Sequence, residues 1–251
     1  MKTLDGIVLV TVGMGLALGA GLLAGCSSDA QAQTASVPGC PGLPTNAELT
    51  NVIKDVVHGD TNGGSGKEMW GATVNREGQV CSVAFSGADR SAQFPGSRTI
   101  AAAKANTANA FSLPGAATSS GNLFVATQPG GPIFGLENGN PVDTAVGYAG
   151  DPALFGTATD PMLGKKLGGT IIFGGGLPLY DSTGKLIGGV GVSGDSSCAD
   201  HIIAWEMRSA LELDKTPNSD NLTVGPGAYP DCGSGSAALI AALPTSYPPT
   251  P

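Results

Sequence analysis

Residues 170–213, TIIFGGGLPLYDSTGKLIGGVGVSGDSSCADHIIAWEMRSALEL, place two apolar runs and a helical pattern in immediate succession. The runs are Thr170 to Tyr180 and Lys185 to Ser193, and Asp181, Ser182, Thr183 and Gly184 between them are turn chemistry. The pattern predicts a β-hairpin with a short loop. Its strands carry Gly174, Gly175, Gly176, Gly188, Gly189, Gly191 and Gly194. Glycine weakens a strand unless another backbone comes close, so a helix is expected to lie tightly on this hairpin. The helix that follows is predicted to start at an N-cap Ser197, with Asp200 near the positive end of its dipole. Ile203, Met207, Ala210 and Leu211 form its apolar stripe, which Ile202 and Trp205 widen. One hairpin and one helix close no core, so the rest of the chain must supply the other layer.

Composition narrows the class. The chain has 251 residues, a formal net charge of −8, only 13% charged residues, 40 Gly and 18 Pro. The acidic balance argues against nucleic acid as a partner. A hydrophobic share of 41% argues against full disorder. The N-terminus reads as an address: Ile7 to Leu23 is an apolar run ending in Leu23-Ala24-Gly25-Cys26, similar to a bacterial lipobox. On that reading residues 1–25 are a lipoprotein-type signal peptide, and Cys26 is lipidated and holds an exported domain at a membrane face. Four cysteines remain, Cys40, Cys81, Cys198 and Cys232, and two disulfides are expected in an oxidising compartment. Cys40–Cys81 with Cys198–Cys232 closes the shortest loops, and Cys40–Cys232 with Cys81–Cys198 stands as the alternative pairing. No C-x-x-C spacing supports a metal site.

Residues 26–44 read as a linker. Thr45 and Glu48 then form a capping box ahead of Leu49, Val52, Ile53, Val56 and Val57 at helical spacing, and Gly59 ends that helix. Met69 to Val74 and Gln79 to Phe85 predict a second hairpin. Ser97 is expected to cap a helix from Arg98 to about Phe111, with Ile100, Ala103, Thr107, Ala110 and Phe111 on one side. Residues 115–168 are irregular, with short strands expected at Leu123–Thr127 and Pro132–Leu136. Residues 214–251 form a Pro-, Gly- and Ser-rich tail in which Ala237 to Leu243 makes at most one turn. Two hairpins and three helices predict an α+β domain over residues 45–213, built on one antiparallel sheet.

Three segments resemble the GlcG/HbpS-like haem-binding (haem-degrading) domain family. They are the hairpin Gly71-Ala-Thr-Val-Asn-Arg-Glu-Gly-Gln-Val80, the helix Lys104-Ala-Asn-Thr-Ala-Asn-Ala-Phe111 with its K-A-x-T-A pattern, and Gly176-Leu-Pro-Leu-Tyr180 followed by Gly188-Gly-Val-Gly-Val-Ser-Gly194. The resemblance implies a profilin-like fold, a homo-oligomer, haem as a possible cofactor, and in some members haem degradation or a redox-sensor partnership. The insertion at about 115–168, the cysteines and the long tail depart from the family pattern.

Candidate haem ligands are few. His201, in the first turn of its helix, should prefer the neutral state, which suits a ligand to iron, although a surface position is the commoner reading. Thr107 in the K-A-x-T-A segment offers an oxygen, against the bland account in which it bonds its own helix turn. His58 at a helix end and Tyr148 in the insertion complete the set. Asp195, Asp200 and His201 together suggest a cation site, but helix capping explains them more simply. Gly189 to Gly194 fits G-x-G-x-x-G, yet no second parallel strand follows, so a nucleotide site is not expected. There is no G-x-S-x-G, no H-E-x-x-H and no P-loop. The reading is an exported, lipid-anchored haem- or tetrapyrrole-binding protein with no catalytic residue named. A non-catalytic structural or interaction module and a haem-degrading or small-metabolite enzyme are the alternatives.

Overall fold

The computed structural model describes residues 36–59 and 62–249. The expected signal peptide, Cys26 and the first part of the linker lie outside the described residues. Four strands, β1 (Trp70–Asn75), β2 (Val80–Phe85), β3 (Gly176–Tyr180) and β4 (Leu186–Ser193), form one sheet in the order β2-β1-β4-β3. Every pairing is antiparallel, and β1 joins the two hairpins by lying against β4, Gly71 opposite Val192 and Thr73 opposite Val190. Among the described residues six α-helices accompany the sheet: α1 (Asn46–Val57), α2 (Ser97–Ala110), the single turns α3 (Phe124–Thr127) and α4 (Thr144–Gly147), α5 (Ser197–Ala210) and α6 (Ser236–Ser246). The fold is α+β.

Strand alternation sorts side chains between two faces. One face sends Leu177, Leu179, Val190 and Val192 into a core with Leu49 and Ile53 of α1 and Ile202, Ile203 and Met207 of α5. The other face sends Trp70, Ala72, Val74 and Val83 against Ala101, Ala102 and Ala105 of α2. The helix pressed onto the glycines is therefore α2, and α5, which directly follows the hairpin, covers the opposite side. A Cβ at Gly191 would collide with the carbonyl oxygen of Ala101 and the nitrogen of Ala105, and one at Gly189 with the carbonyl oxygen of Ala105. Glycine is required there because main chain rests on main chain.

The termini of several elements depart from expectation. The N-cap of α5 is Ser196, whose hydroxyl accepts from the Ala199 N–H at 3.2 Å, one residue before the predicted Ser197. Helix α2 starts at Ser97 itself, with Gly96 as an N-cap that offers no side chain. Its predicted apolar side fails in part: Ile100 is 37% exposed, whereas every residue from Ala101 to Asn109 is buried. The reason is a third layer. Residues 142–171, from the insertion and the start of the run after it, lie over the outer side of α2, where Asn106 Nδ2 donates to the Gly169 carbonyl at 2.9 Å and the Ile171 N–H donates to Thr107 Oγ1 at 2.8 Å. Leu123–Thr127 and Pro132–Leu136 are not strands; the first is mostly the helical turn α3 and the second is turns. The apolar run from Thr170 pairs as β-strand only from Gly176, since the part before it packs on α2.

The C-terminal segment is packed rather than loose. Helix α6 is eleven residues long, well beyond the single turn expected, and buries Ile240 and Leu243 beside α5. Cys198 of α5 is bonded to Cys232, and Cys40, ahead of α1, is bonded to Cys81 of β2. Closing loops of 41 and 34 residues restricts the unfolded chain. Chain-entropy arguments put such cross-links at about 4 kcal/mol each. The capping box at Thr45 and Glu48 is present as predicted, with Glu48 Oε2 accepting from the Thr45 N–H at 2.7 Å.

The Gly191 contact is testable. Gly191→Ala should destabilise by about 3 kcal/mol, because a methyl group must push α2 off the sheet. Gly115→Ala, where a Cβ meets open space, should stay within about 0.5 kcal/mol of the parent. Urea unfolding of both variants reads the difference, and equal midpoints would refute the main-chain contact.

Candidate functional site

A cleft of about 390 Å3 lies beside the Trp70 end of β1, lined by Trp70, Arg90, Gln93, Arg98, Tyr148 and Phe155, with Asp89, Ser91 and Pro95 at its margin. That volume falls within the roughly 300–1,000 Å3 of small-molecule sites. Two other hollows of the described surface are larger, about 540 Å3 between α1 and α5 and about 620 Å3 beside Ser36–Pro38, but no aromatic ring lines either one. The cleft has three.

Local sequence builds its walls. Trp70 opens β1 and Phe85 closes β2; the register sets them opposite each other, and their rings stack 4.6 Å apart. Asp89 caps a short 3-10 turn, Arg90–Ala92, by accepting from the Ser91 N–H at 2.9 Å, and this turn presents Arg90. Gln93 is held by the carbonyl oxygens of Glu68 and Gly194, the latter at 3.0 Å. Tyr148 follows α4 and Phe155 follows the turn Pro152–Leu154, so both come from the insertion.

Arg98 fastens the insertion to α2. Its guanidinium, 2% exposed, pairs with Asp160 through two N–H groups, donates to the Gly147 carbonyl at 2.8 Å and stacks 3.7 Å from the Phe155 ring. Asp160 also accepts from the Gly156 and Met162 N–H groups at 2.7 and 2.9 Å. One buried ion pair thus positions Phe155 and the residue next to Tyr148. Removing either partner would strand a buried charge, typically at a cost of about 3–5 kcal/mol.

The predicted ligands are dispersed. His201 is fully buried, contrary to the surface position expected, because the segment after α5 folds over it. Its Nε2 meets Asn221 Oδ1 at 3.2 Å, and Asn221 Nδ2 is committed to the Ile240 carbonyl. Since Oδ1 can only accept, Nε2 carries the proton and Nδ1 is left buried with no hydrogen-bond partner. Burial pushes the imidazole down to about 4. Thr107 Oγ1 donates to the Ala103 carbonyl at 2.8 Å and accepts from the Ile171 N–H, so its oxygen is spent within the protein. His58 caps α1 and meets Glu68 at 3.1 Å on the surface. Tyr148 is 56% exposed and faces the cleft.

Asp195 and Asp200 do not form a cation site. Asp195 accepts from the N–H groups of Ser65 and Ser196 at 2.6 and 2.7 Å. Asp200 meets Lys104 Nζ at 2.6 Å, and that ammonium also donates to the Val192 carbonyl at 3.1 Å. Burial pushes the Asp200 carboxyl up against the pull of Lys104. Among the described residues no group of His, Cys, Asp and Glu is arranged to hold a metal ion. The G-x-G-x-x-G run belongs to an antiparallel hairpin, as expected from the missing parallel strand.

The sequence reading overlooked Trp70, Arg90, Arg98, Phe155 and Asp160. One signal was available for Arg98: a cation in the first turn of a helix opposes the dipole and calls for a specific partner. For Phe155 and Asp160 no signal existed, since the insertion has no periodicity.

These features define a small α+β domain with one aromatic, arginine-bearing cleft. The family model described as "Haem degrading protein HbpS-like" matches residues 65–208, and the chain belongs to that family. Among solved structures it is similar to the PduOC:heme complex, at 23% identity with a TM-score of 0.44, over 65% of this chain and 88% of that one. It is also similar to Klebsiella pneumoniae protein ORFY, at 21% identity with a TM-score of 0.44, over 67% of this chain and 90% of that one. No curated protein matches the chain.

His201 makes stability depend on pH. Its ordinary value is 6.5 and its value in the fold about 4, so the unfolded chain binds more protons between these limits. Stability is complete above pH 6.5 and declines as pH falls towards 4, by about 3 kcal/mol in all. Urea titrations at pH 7 and pH 4 should show a smaller loss in His201→Gln than in the parent. Parallel losses would rule this group out as the cause.

Proposed function

We propose that this protein binds haem or a related tetrapyrrole in the cleft between Trp70, Phe155 and Tyr148, in an oxidising extracytoplasmic compartment. Membership of the HbpS-like family carries this reading. The residues of the cleft fit the group. Part-buried Phe155 and exposed Tyr148 offer aromatic surface to a conjugated ring, backed by Trp70, which is 3% exposed and stacked on Phe85. The Tyr148 phenol is the exposed oxygen among the four candidates and is a known type of ligand to haem iron. His201 and Thr107 have no atom facing open space. Bound haem would supply the iron redox centre and the absorbance. This chain's residues would bind the ring, set the ligand at Tyr148 and keep water from one face.

The competing reading is a module that keeps the fold without a ligand, and the burial of one of only two histidines favours it. Hemin titration separates the two. Binding should saturate with a Soret shift, and Tyr148→Phe should change the spectrum and weaken binding about tenfold. His58→Ala should change neither. Absence of saturable binding would leave the ligand-free module standing.

Two disulfides fit export, and no helix among the described residues is long and apolar enough to cross a membrane. We propose that lipid on Cys26 supplies the anchor and that the domain self-associates, as its membership of the HbpS-like family suggests. Cys26→Ser should move the protein from the membrane to the soluble fraction, and light scattering of that soluble form should give a multiple of the monomer mass. Retention in the membrane, or a monomer, contradicts the corresponding half.

A further inference from the structure

Two arginines line the cleft, and they are not equivalent. Arg98 has its donors committed to Asp160 and the Gly147 carbonyl and its face to the Phe155 ring. It holds the wall and has little left to offer a ligand. Arg90 is exposed, sits on the capped turn Arg90–Ala92 next to Asp89, and among the described residues its side chain makes no hydrogen bond and no ion pair within 4 Å. The lone carboxylate on the lining, Asp89, has an oxygen taken by the Ser91 N–H. Arg98 is balanced by Asp160, and Arg90 lies beside Asp89, whose carboxyl is held below the usual range by the Ser91 N–H and by the Arg90 charge, so what the cleft offers a ligand is the exposed N–H donors of Arg90 rather than net positive charge. An exposed guanidinium with N–H donors to spare beside the rings of Phe155 and Tyr148 suits a flat conjugated ligand that carries a carboxylate, which it can grip with two parallel N–H bonds.

We propose that Arg90 is the specificity residue of the cleft: it recognises an acidic substituent at the ligand edge, so that carboxylate-bearing planar ligands bind in preference to neutral analogues of the same ring. This rests on the haem-binding reading and goes beyond it by naming the chemical handle and the residue that reads it.

Hemin and hemin dimethyl ester, in which both carboxylates are masked, are titrated into the full-length protein in one buffer. The parent should bind hemin about tenfold more tightly than the ester. Arg90→Gln should lose that discrimination by weakening hemin alone. Arg90→Lys, which keeps the charge but lacks the fork, should retain part of it. Lys166→Gln, which removes a surface cation 65% exposed and outside the cleft, controls for general charge and should behave as the parent. The Arg90 side chain is exposed and only its main chain, which accepts from the Gln93 N–H at 3.3 Å, serves the turn, so circular dichroism should show an unchanged fold. If hemin and its ester bind the parent equally, or Arg90→Gln still discriminates, the inference is overturned while haem binding survives. If neither molecule binds the parent, the haem-binding reading falls and takes this inference with it.

Discussion

Helix α2 lies main chain to main chain on strand β4, and the other layers follow from that contact. Side chains at 189 and 191 would hold the helix away and open a void under it. With glycine on the strand and alanine on the helix, the two backbones close without one. A helix so deeply set also has its outer side to bury, since small side chains reach little solvent. The insertion meets that need. It covers α2 and satisfies Asn106 and Thr107, which would otherwise be buried polar groups without partners.

Among the described residues three buried cations link the layers that this contact creates. Arg98 ties α2 to the insertion through Asp160. Lys104 passes Gly175 to reach Asp200, joining helices on opposite faces of the sheet. Arg208 of α5 holds Asp220 of the C-terminal segment at 2.7 and 2.9 Å. Buried ion pairs are weak sources of net stability, but a wrong arrangement would leave a charge unpaired at high cost. In this fold they specify which segment lies on which helix. The cleft is a consequence: Arg98 fixes Phe155 and Gly147, and with them the wall that carries Tyr148.

The dispersal of the predicted ligands has the same origin. Thr107 was placed on the correct helix, but the helix is covered on both sides, so its hydroxyl serves the fold. His201 was correctly expected to be neutral. The cause is burial under residues 220–240, which helix-end electrostatics alone could not reveal. Tyr148 and Arg90 stand apart because each sits at an end of a short capped turn, Tyr148 after Thr144–Gly147 and Arg90 at the start of Arg90–Ala92.

Periodicity and turn chemistry in the sequence determined both hairpins, helices α1, α2 and α5, and the antiparallel α+β class, because these signals are local: alternation within a strand, a capping box, glycine where a backbone must approach. Tertiary structure alone decided which helix meets the glycines, how the insertion and C-terminal segment fold back, and which arginine is buried in an ion pair and which stays exposed. Those outcomes depend on contacts between residues tens of positions apart, such as Arg98 with Asp160 and His201 with Asn221. No spacing along the chain records such contacts, since they arise only when separate layers close on one another.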